Sequence, residues 1–255
     1  MCKKILYLFV SIVLILSFTL TGCSKQEAKP VKVLKVGSEA AFAPFEFQDE
    51  NTKEYIGFDI DLIKAIGKQM GTEVQIQNMG FDGLIPGLEA NSIDLAISGM
   101  TITEERAKKV SFSKPYYKSG LTIVVREDNA SISSFKDLEG KKIAVQLGTT
   151  GAEEAKKVKD AQIREFNSAP EAFLELKAGG VDAVVNDKPV NEYYIAKAGG
   201  KEAKMVGEPL TAEDYGIAAA GKNKELIGQV DKALEELKKN GEYEKIYVKW
   251  FGRKP

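Results

Sequence analysis

From Val33 onward the chain alternates between two hydrophobic periods, one near two residues and one near 3.6. "VLKVGS" reads as a short strand. "GFDIDLIKAIGKQMG" sets Phe58, Ile60, Leu62, Ile63, Ile66 and Met70 near helical spacing and closes on Gly71, which predicts an amphipathic helix with a glycine stop. "EVQIQNM" alternates as a strand, "FDGLIPGLEAN" fits a short helix, "SIDLAISGM" a strand, "TEERAKK" a helix start and "KVSFS" a strand. This βαβαβ order argues for a parallel or mixed sheet with helices on its faces, an α/β fold.

The pattern then restarts. "GLTIVVRED" predicts a strand, and "SSFKDLEGKKIAVQLGTTGAEEAKKV" a helix, a strand, a glycine-rich turn and a helix. "QIREFN", "APEAFLELKAGG", "VDAVVND" and "KPVNEYYIAKAG" continue as strand, helix, strand, helix. "DYGIAAA" reads as a strand, and residues 223–252 as helices. The two runs rhyme. "GLEANSIDLAISGMTIT" and "ELKAGGVDAVVNDKP" both give helix, strand and turn, and in each an Ile-Asp or Val-Asp opens a buried strand. Ligands of open α/β sheets bind beyond the carboxyl ends of the strands, so "SGMT" and "ND" mark a candidate site.

The N-terminus follows a different pattern. Lys3 and Lys4 precede the apolar run Ile5 to Leu20, and Thr21-Gly22 follow, the order of an export signal. The run is roughly 16 residues, shorter than the roughly 20 a membrane span needs, although an uncleaved anchor helix is the alternative. Leu20-Thr21-Gly22-Cys23 resembles the lipobox of bacterial lipoproteins. That resemblance implies a signal peptide over residues 1–22, removed on processing, and a diacylglycerol on Cys23. Two or more acyl chains hold a protein at a membrane where one does not. Residues 23–32 form the lipidated end and a polar tether. The one other cysteine, Cys2, would leave with the signal, so no disulfide is expected.

Composition removes several function classes. Lys and Arg number 36 against 37 Asp and Glu, well mixed, which gives no footprint for nucleic acid. The absence of histidine removes Ser-His-Asp and Cys-His sites and most zinc sites. Neither a P-loop, a CxxC nor a GxGxxG occurs, and "SFSK" lacks the companion motifs of penicillin-recognising enzymes. No cofactor and no metal are expected.

The ordered set "EAAFAPFEF", "GFDIDLIKAIGKQM", "FDGLIPGL", "SGMTITEER", "VQLGTTG", "VVNDKP" and "YEKIYVKWFG" resembles the polar amino-acid family of bacterial extracellular solute-binding proteins, from about Val33 to Gly252. The resemblance implies a type 2 periplasmic-binding-protein fold, with two lobes joined by two crossovers and a ligand cleft between them. The crossovers would lie near Tyr116–Leu121 and Thr211–Tyr215. Lobe 1 would be residues 33–119 plus 213–255, and lobe 2 residues 120–212. It further implies a monomeric, non-enzymatic receptor that passes a free L-amino acid to the membrane permease of an ABC importer.

Site residues carry over position by position. Arg106 would grip the ligand carboxylate with two parallel hydrogen bonds. Gly99 and Thr101 would add a backbone donor and a hydroxyl beside Ser98. Asp187 would accept from the ammonium across the cleft, and Thr149 and Thr150 belong to the "TTG" turn. Phe42 and Phe81 would flank the ligand side chain, while Phe45 and Phe47 are assigned to the core.

Three positions depart from glutamine-binding members, which carry Asp, Lys and His where this chain has Glu39, Gln146 and Asn186. Arg106 and Asp187 cancel a zwitterion. Glu39 is then left uncompensated, since Gln146 is neutral. A buried unpaired carboxylate is costly unless the ligand brings a cation. Arginine or lysine fits this count, and the two rings could flank a guanidinium. Glutamine is the alternative, because its amide can donate to Glu39. A dehydratase on the same fold and a partner-dependent sensor are the readings from other classes.

Overall fold

The computed structural model describes residues 33–197 and 201–255. The export signal, Cys23 and the tether lie outside the described residues.

Two five-stranded sheets organise the chain. In the first, β1 (Val33–Ser38) lies between β5 (Glu73–Asn78) and β6 (Leu95–Ala96), parallel to both. β15 (Ala218–Ala220) and β7 (Val110–Phe112) complete it, with β15 antiparallel to β6 and to β7. The strand order is β5-β1-β6-β15-β7. In the second sheet, β10 (Lys142–Gln146) lies parallel between β11 (Gln162–Phe166) and β12 (Ala183–Asp187). β9 (Leu121–Arg126) and β13 (Ala203–Val206) complete the order β11-β10-β12-β9-β13.

Between the sheets, β8 (Tyr117–Ser119) and β14 (Glu213–Tyr215) form a two-stranded antiparallel ladder. The chain passes outward to the second sheet through β8 and returns through β14. "DYGIAAA" is therefore two strands and not one. Tyr215 pairs with Tyr117 in the ladder, and Ala218 pairs with Ala96 in the first sheet. The strand expected over "SIDLAISGM" keeps only Leu95–Ala96, because Ser98 and Gly99 bond to side chains beneath the site. A three-stranded meander, β2 (Ala41–Phe42), β3 (Glu46–Gln48) and β4 (Tyr55–Ile56), had no sequence expectation. "SSFKDLEG" makes a single 3₁₀ turn at Phe135–Leu138, closed by a reciprocal cap between Ser134 and Asp137.

The helices follow their apolar stripes. α1 (Phe58–Met70) buries Phe58, Leu62, Ile63 and Ile66 and ends at left-handed Gly71, whose amide bonds Gly67 and Lys68 carbonyls. Each such aliphatic side chain contributes about 1.5–3 kcal/mol on burial. Its entry needs Gly57: φ is 135°, and a Cβ there would stand 2.0 Å from the Phe45 carbonyl oxygen. The other helices are α2 (Leu84–Glu89), α3 (Glu104–Ala107), α4 (Thr150–Ala155), α5 (Ala169–Lys177), α6 (Lys188–Lys197), α7 (Lys224–Lys239) and α8 (Glu242–Phe251).

An aromatic cluster packs α8 against the β8–β14 ladder. Phe45 meets Tyr117 at 4.9 Å edge-on, and Tyr117 meets Phe251 at 4.9 Å. Phe45 is wholly buried, as expected of a core residue. Phe47 is not in the core. It is half-buried and packs on Trp250 at 5.8 Å and on Tyr193 of α6 at 6.0 Å, because strand alternation in β3 turns Glu46 inward instead.

Candidate functional site

The carboxyl ends of β6, β10 and β12 converge on one small pocket lined mostly by buried polar side chains. Phe42, Phe81, Ser98, Gly99, Thr101 and Arg106 line it from the first half, and Gln146, Thr149, Thr150 and Asp187 from the second. Glu39, the remaining candidate, is 6% exposed and is tied to the lining residue Gln146.

Arg106 is set by the short helix α3. Thr103 caps that helix by accepting the Arg106 amide. The guanidinium is buried and donates to the Thr101 carbonyl at 2.8 Å and to the Gly148 carbonyl at 3.0 Å, so it touches both halves. Its carbon sits 5.3 Å from the Phe81 ring centre. Burial pulls its pKa down against the charges of Glu153, Glu213 and Asp187, and an arginine stays cationic through such a change. Two carbonyl acceptors leave other guanidinium donors for a further acceptor.

Asp187 ends β12 and is buried. Its Oδ1 accepts from the Ser119 hydroxyl at 3.1 Å and from the Tyr215 hydroxyl, one from each strand of the ladder. Burial first, then the charge of Glu213, pushes its pKa up to about 7 against the pull of these hydroxyls and Arg106. Glu39 accepts from the Gln146 amide at 3.2 Å, again across the two halves. Burial pushes its pKa up to about 7, with the Gln146 bond opposing and Glu171 adding.

Several expected roles differ in the structure. The Gly99 amide does not face the pocket; it donates to Asp59 Oδ2 at 2.9 Å. The Thr101 hydroxyl donates to Glu213 Oε2 at 2.9 Å. The Ser98 hydroxyl lies between the Glu39 amide and Glu46 Oε1, at 3.0 and 2.7 Å. The Thr149 hydroxyl closes the turn before α4 by donating to the Gln146 carbonyl at 2.8 Å. These hydroxyls and the amide shape the wall through bonds to neighbouring groups. Gly99 itself is required: at φ 53°, a Cβ would come within 2.9 Å of the Phe42 ring.

Sequence reasoning missed Glu213. It is buried in β14, and its charge acts on both Arg106 and Asp187. Period-two alternation was the available signal, because it puts Glu213 on the same face as buried Tyr215 and leaves Asp214 on the other. With Asp187, Glu213 gives two buried carboxyls acting on Arg106, while Glu39 is buried against Gln146.

Two sheets flanking one polar pocket, connected by a double crossing, define a solute-binding protein of the type 2 periplasmic-binding-protein fold. The model of the bacterial extracellular solute-binding proteins, family 3, matches residues 34–253, and the chain belongs to that family, one of binding proteins and not of enzymes. The chain is 34% identical over 253 residues to the arginine-binding extracellular protein ArtP of Bacillus subtilis (strain 168), covering 98% of each chain. It is 50% identical to an ancestral arginine-binding protein solved with arginine, covering 86% of this chain and 98% of that one at a TM-score of 0.83. An ancestral arginine-binding protein solved with glutamine is also 50% identical, covering 87% and 98%, at a TM-score of 0.82.

Proposed function

We propose that this protein captures a cationic L-amino acid, arginine foremost and lysine next, and delivers it to the membrane permease of an ABC importer. The carrying observation is the charge count of the pocket: buried Asp187 and Glu213 act on the one arginine of its lining, Arg106, and buried Glu39 bonds the neutral lining residue Gln146. A ligand with a second positive charge offsets that excess, where a neutral one leaves it. In this reading Arg106 takes the ligand carboxylate, Asp187 the α-ammonium, and Glu39 with Gln146 the distal cation. Phe42 and Phe81 flank the side chain, and Ser98, Gly99, Thr101, Thr149 and Thr150 complete the wall. Residues 33–119 with 213–255 form one lobe and 120–212 the other, and the ligand draws them together. Cys23 carries lipid and holds the protein at the outer face of the cytoplasmic membrane.

Glutamine is the second reading. The Gln146 amide already bonds Glu39, which shows the carboxyl accepting from a neutral group, and a similar protein has been solved with glutamine. Calorimetric titration of ligand-free protein with arginine, lysine, ornithine and glutamine separates the two. At about 100 times its Kd a ligand adds roughly 2.7 kcal/mol to stability, a Tm shift of a few degrees. Arginine binding that Glu39→Gln weakens about tenfold, with glutamine binding held, is the expected result. Glutamine binding alone would overturn the cationic reading. For the anchor, Cys23→Ser is expected to release the protein or block its processing with affinity unchanged; normal processing and membrane retention would refute it.

A further inference from the structure

Beneath the pocket wall lie two carboxyls that the binding chemistry does not use. Glu46 on β3 and Asp59 in the first turn of α1 are both 0% exposed. Glu46 Oε1 accepts from the Ser98 hydroxyl, which itself accepts the Glu39 amide. Asp59 Oδ2 accepts from the Gly99 amide at 2.9 Å and from the Tyr116 hydroxyl at 2.6 Å. The other oxygens, Glu46 Oε2 and Asp59 Oδ1, are buried without any donor among the described residues. Geometry sets the two side chains beside each other: the consecutive residues Ser98 and Gly99 bond one carboxyl each, and the Asp59 amide donates to the carbonyl of Phe45, next to Glu46, at 2.8 Å. Two ionised carboxylates so placed would repel in a medium of low dielectric and leave an oxygen of each unsatisfied.

We propose that one proton joins this pair, with Glu46 the neutral acid that donates to an ionised Asp59, and that the joined pair is a strut fixing the Ser98–Gly99 wall to Tyr116 at the first crossing. A single proton satisfies both orphaned oxygens and removes one of the two charges. The direction of titration agrees. Burial and then the charge of Asp59 hold the Glu46 pKa well above the carboxylate range, and burial pushes Asp59 to about 6. The titratable groups reaching the pair are Glu39, Tyr116 and each other; Tyr116 serves as donor, its own pKa raised by burial. The strut extends further, because the Tyr116 carbonyl accepts from the Tyr243 hydroxyl of α8 at 2.6 Å. Ser98 and Gly99 thus bound the pocket while bonded away from it, and Glu46 and Asp59 are positioning residues acting through them.

The first test does not depend on the identity of the ligand. An infrared difference spectrum of wild type against Glu46→Gln at neutral pH is expected to contain a carboxylic-acid carbonyl band that shifts in D₂O. No such band means that both acids are ionised and bridged by something else, which overturns the proposal. The second test is affinity for L-arginine, and it rests on the cationic reading above. Glutamine at 46 reproduces both bonds of the neutral acid, so Glu46→Gln is expected within about threefold of wild type, whereas Glu46→Leu orphans Ser98 and Asp59 and weakens binding about tenfold or more. Should Glu46→Leu not fold, Ser98→Ala cuts the same link and is expected to weaken binding about fivefold. Equal losses in Glu46→Gln and in the disrupting variant would overturn the strut. Wild type binding some other amino acid in place of arginine would refute the ligand reading alone, and the comparison is then made with that amino acid.

Discussion

The two halves can be compared strand by strand. In the first sheet Asp94 accepts the Lys35 amide at 2.8 Å, and in the second Asp182 accepts the Lys142 amide at 2.9 Å. Each aspartate opens the middle strand of its sheet, β6 or β12, which runs parallel to the strand whose amide it accepts, β1 or β10. Up to that point the frames match. They part in the few residues beyond the strand. After β6 the chain runs on to α3, which sends a long cationic side chain back to two carbonyls. After β12 the anion is the last strand residue itself, held by two hydroxyls. The underlayers differ too. Glu46 and Asp59 lie under the first half. Under the second, Asn191 donates to the Thr122 hydroxyl at 2.8 Å and the Asn186 carbonyl at 3.0 Å, and accepts from the Asn186 amide at 3.3 Å, a neutral set. A repeated frame thus carries opposite charges, with the chemistry confined to the loop ends and what supports them.

The largest effect that would break this comparison is removal of the cation. Arg106→Ala is expected to lower arginine affinity by 2–5 kcal/mol, about 30-fold to several thousand-fold, by calorimetry, since it leaves Asp187 and Glu213 without their cation. Arg106→Lys should lose most of the same, because a point charge cannot replace the fork; retention within about threefold would show that only charge matters there.

Next comes the anion. Asp187→Asn keeps the shape and is expected to weaken arginine binding about 10- to 100-fold, with Tyr215 and Ser119 still able to donate to the amide oxygen. An unchanged Kd would move the ammonium partner to Glu213.

A third effect is on pH, and the sign differs between stability and binding. Glu39 and Asp187 have folded pKa values raised to about 7, so their contribution to the stability of the free protein is present at low pH and lost as pH rises from the unfolded values through about 7. Binding a cation needs both ionised. Arginine affinity should therefore fall as pH drops below about 7, by up to tenfold per unit for each group, while the free protein gains stability. Titrations from pH 5 to 8 check this, and Glu39→Gln should remove one group's share. Parallel trends in affinity and stability would contradict the assignment.

The smallest effect tests the neutral underlayer. Asn191→Ala should cost about 1–3 kcal/mol, a few degrees in Tm, with the order of ligand preference unchanged. A changed preference would mean that the amide set shapes the pocket as well as supporting it.

Much of this was legible in the sequence, for identifiable reasons. Helix α1 announced itself because its apolar spacing and Gly71 agree, and the rhyme of "IDLAIS" with "VDAVVN" reflects the matching aspartate bonds. The pocket-lining residues lie in short contiguous motifs, so one motif delivers several of them. Glu213 and the Glu46–Asp59 pair were not legible. Each is an acid flanked by ordinary strand or helix residues; alternation gives Glu213 its face, but only a partner distant in sequence, such as Thr101, shows what that face meets. The split of "DYGIAAA" has the same origin, since its two halves answer to different sheets.

The placement of β15 has a consequence for how the molecule is made. The second sheet is one continuous run of chain, from β9 to β13. The first is unfinished until Ala218–Ala220, synthesised after all of the second, slides between β6 and β7. The pairings that close it, such as Ala218 with Ala96, span more of the chain than the other pairings of the two five-stranded sheets, which slows their formation. A chain emerging on the far side of a membrane therefore exposes the bare sides of β6 and β7 while the other half can already be complete, and that interval is when it most needs protection from mispairing.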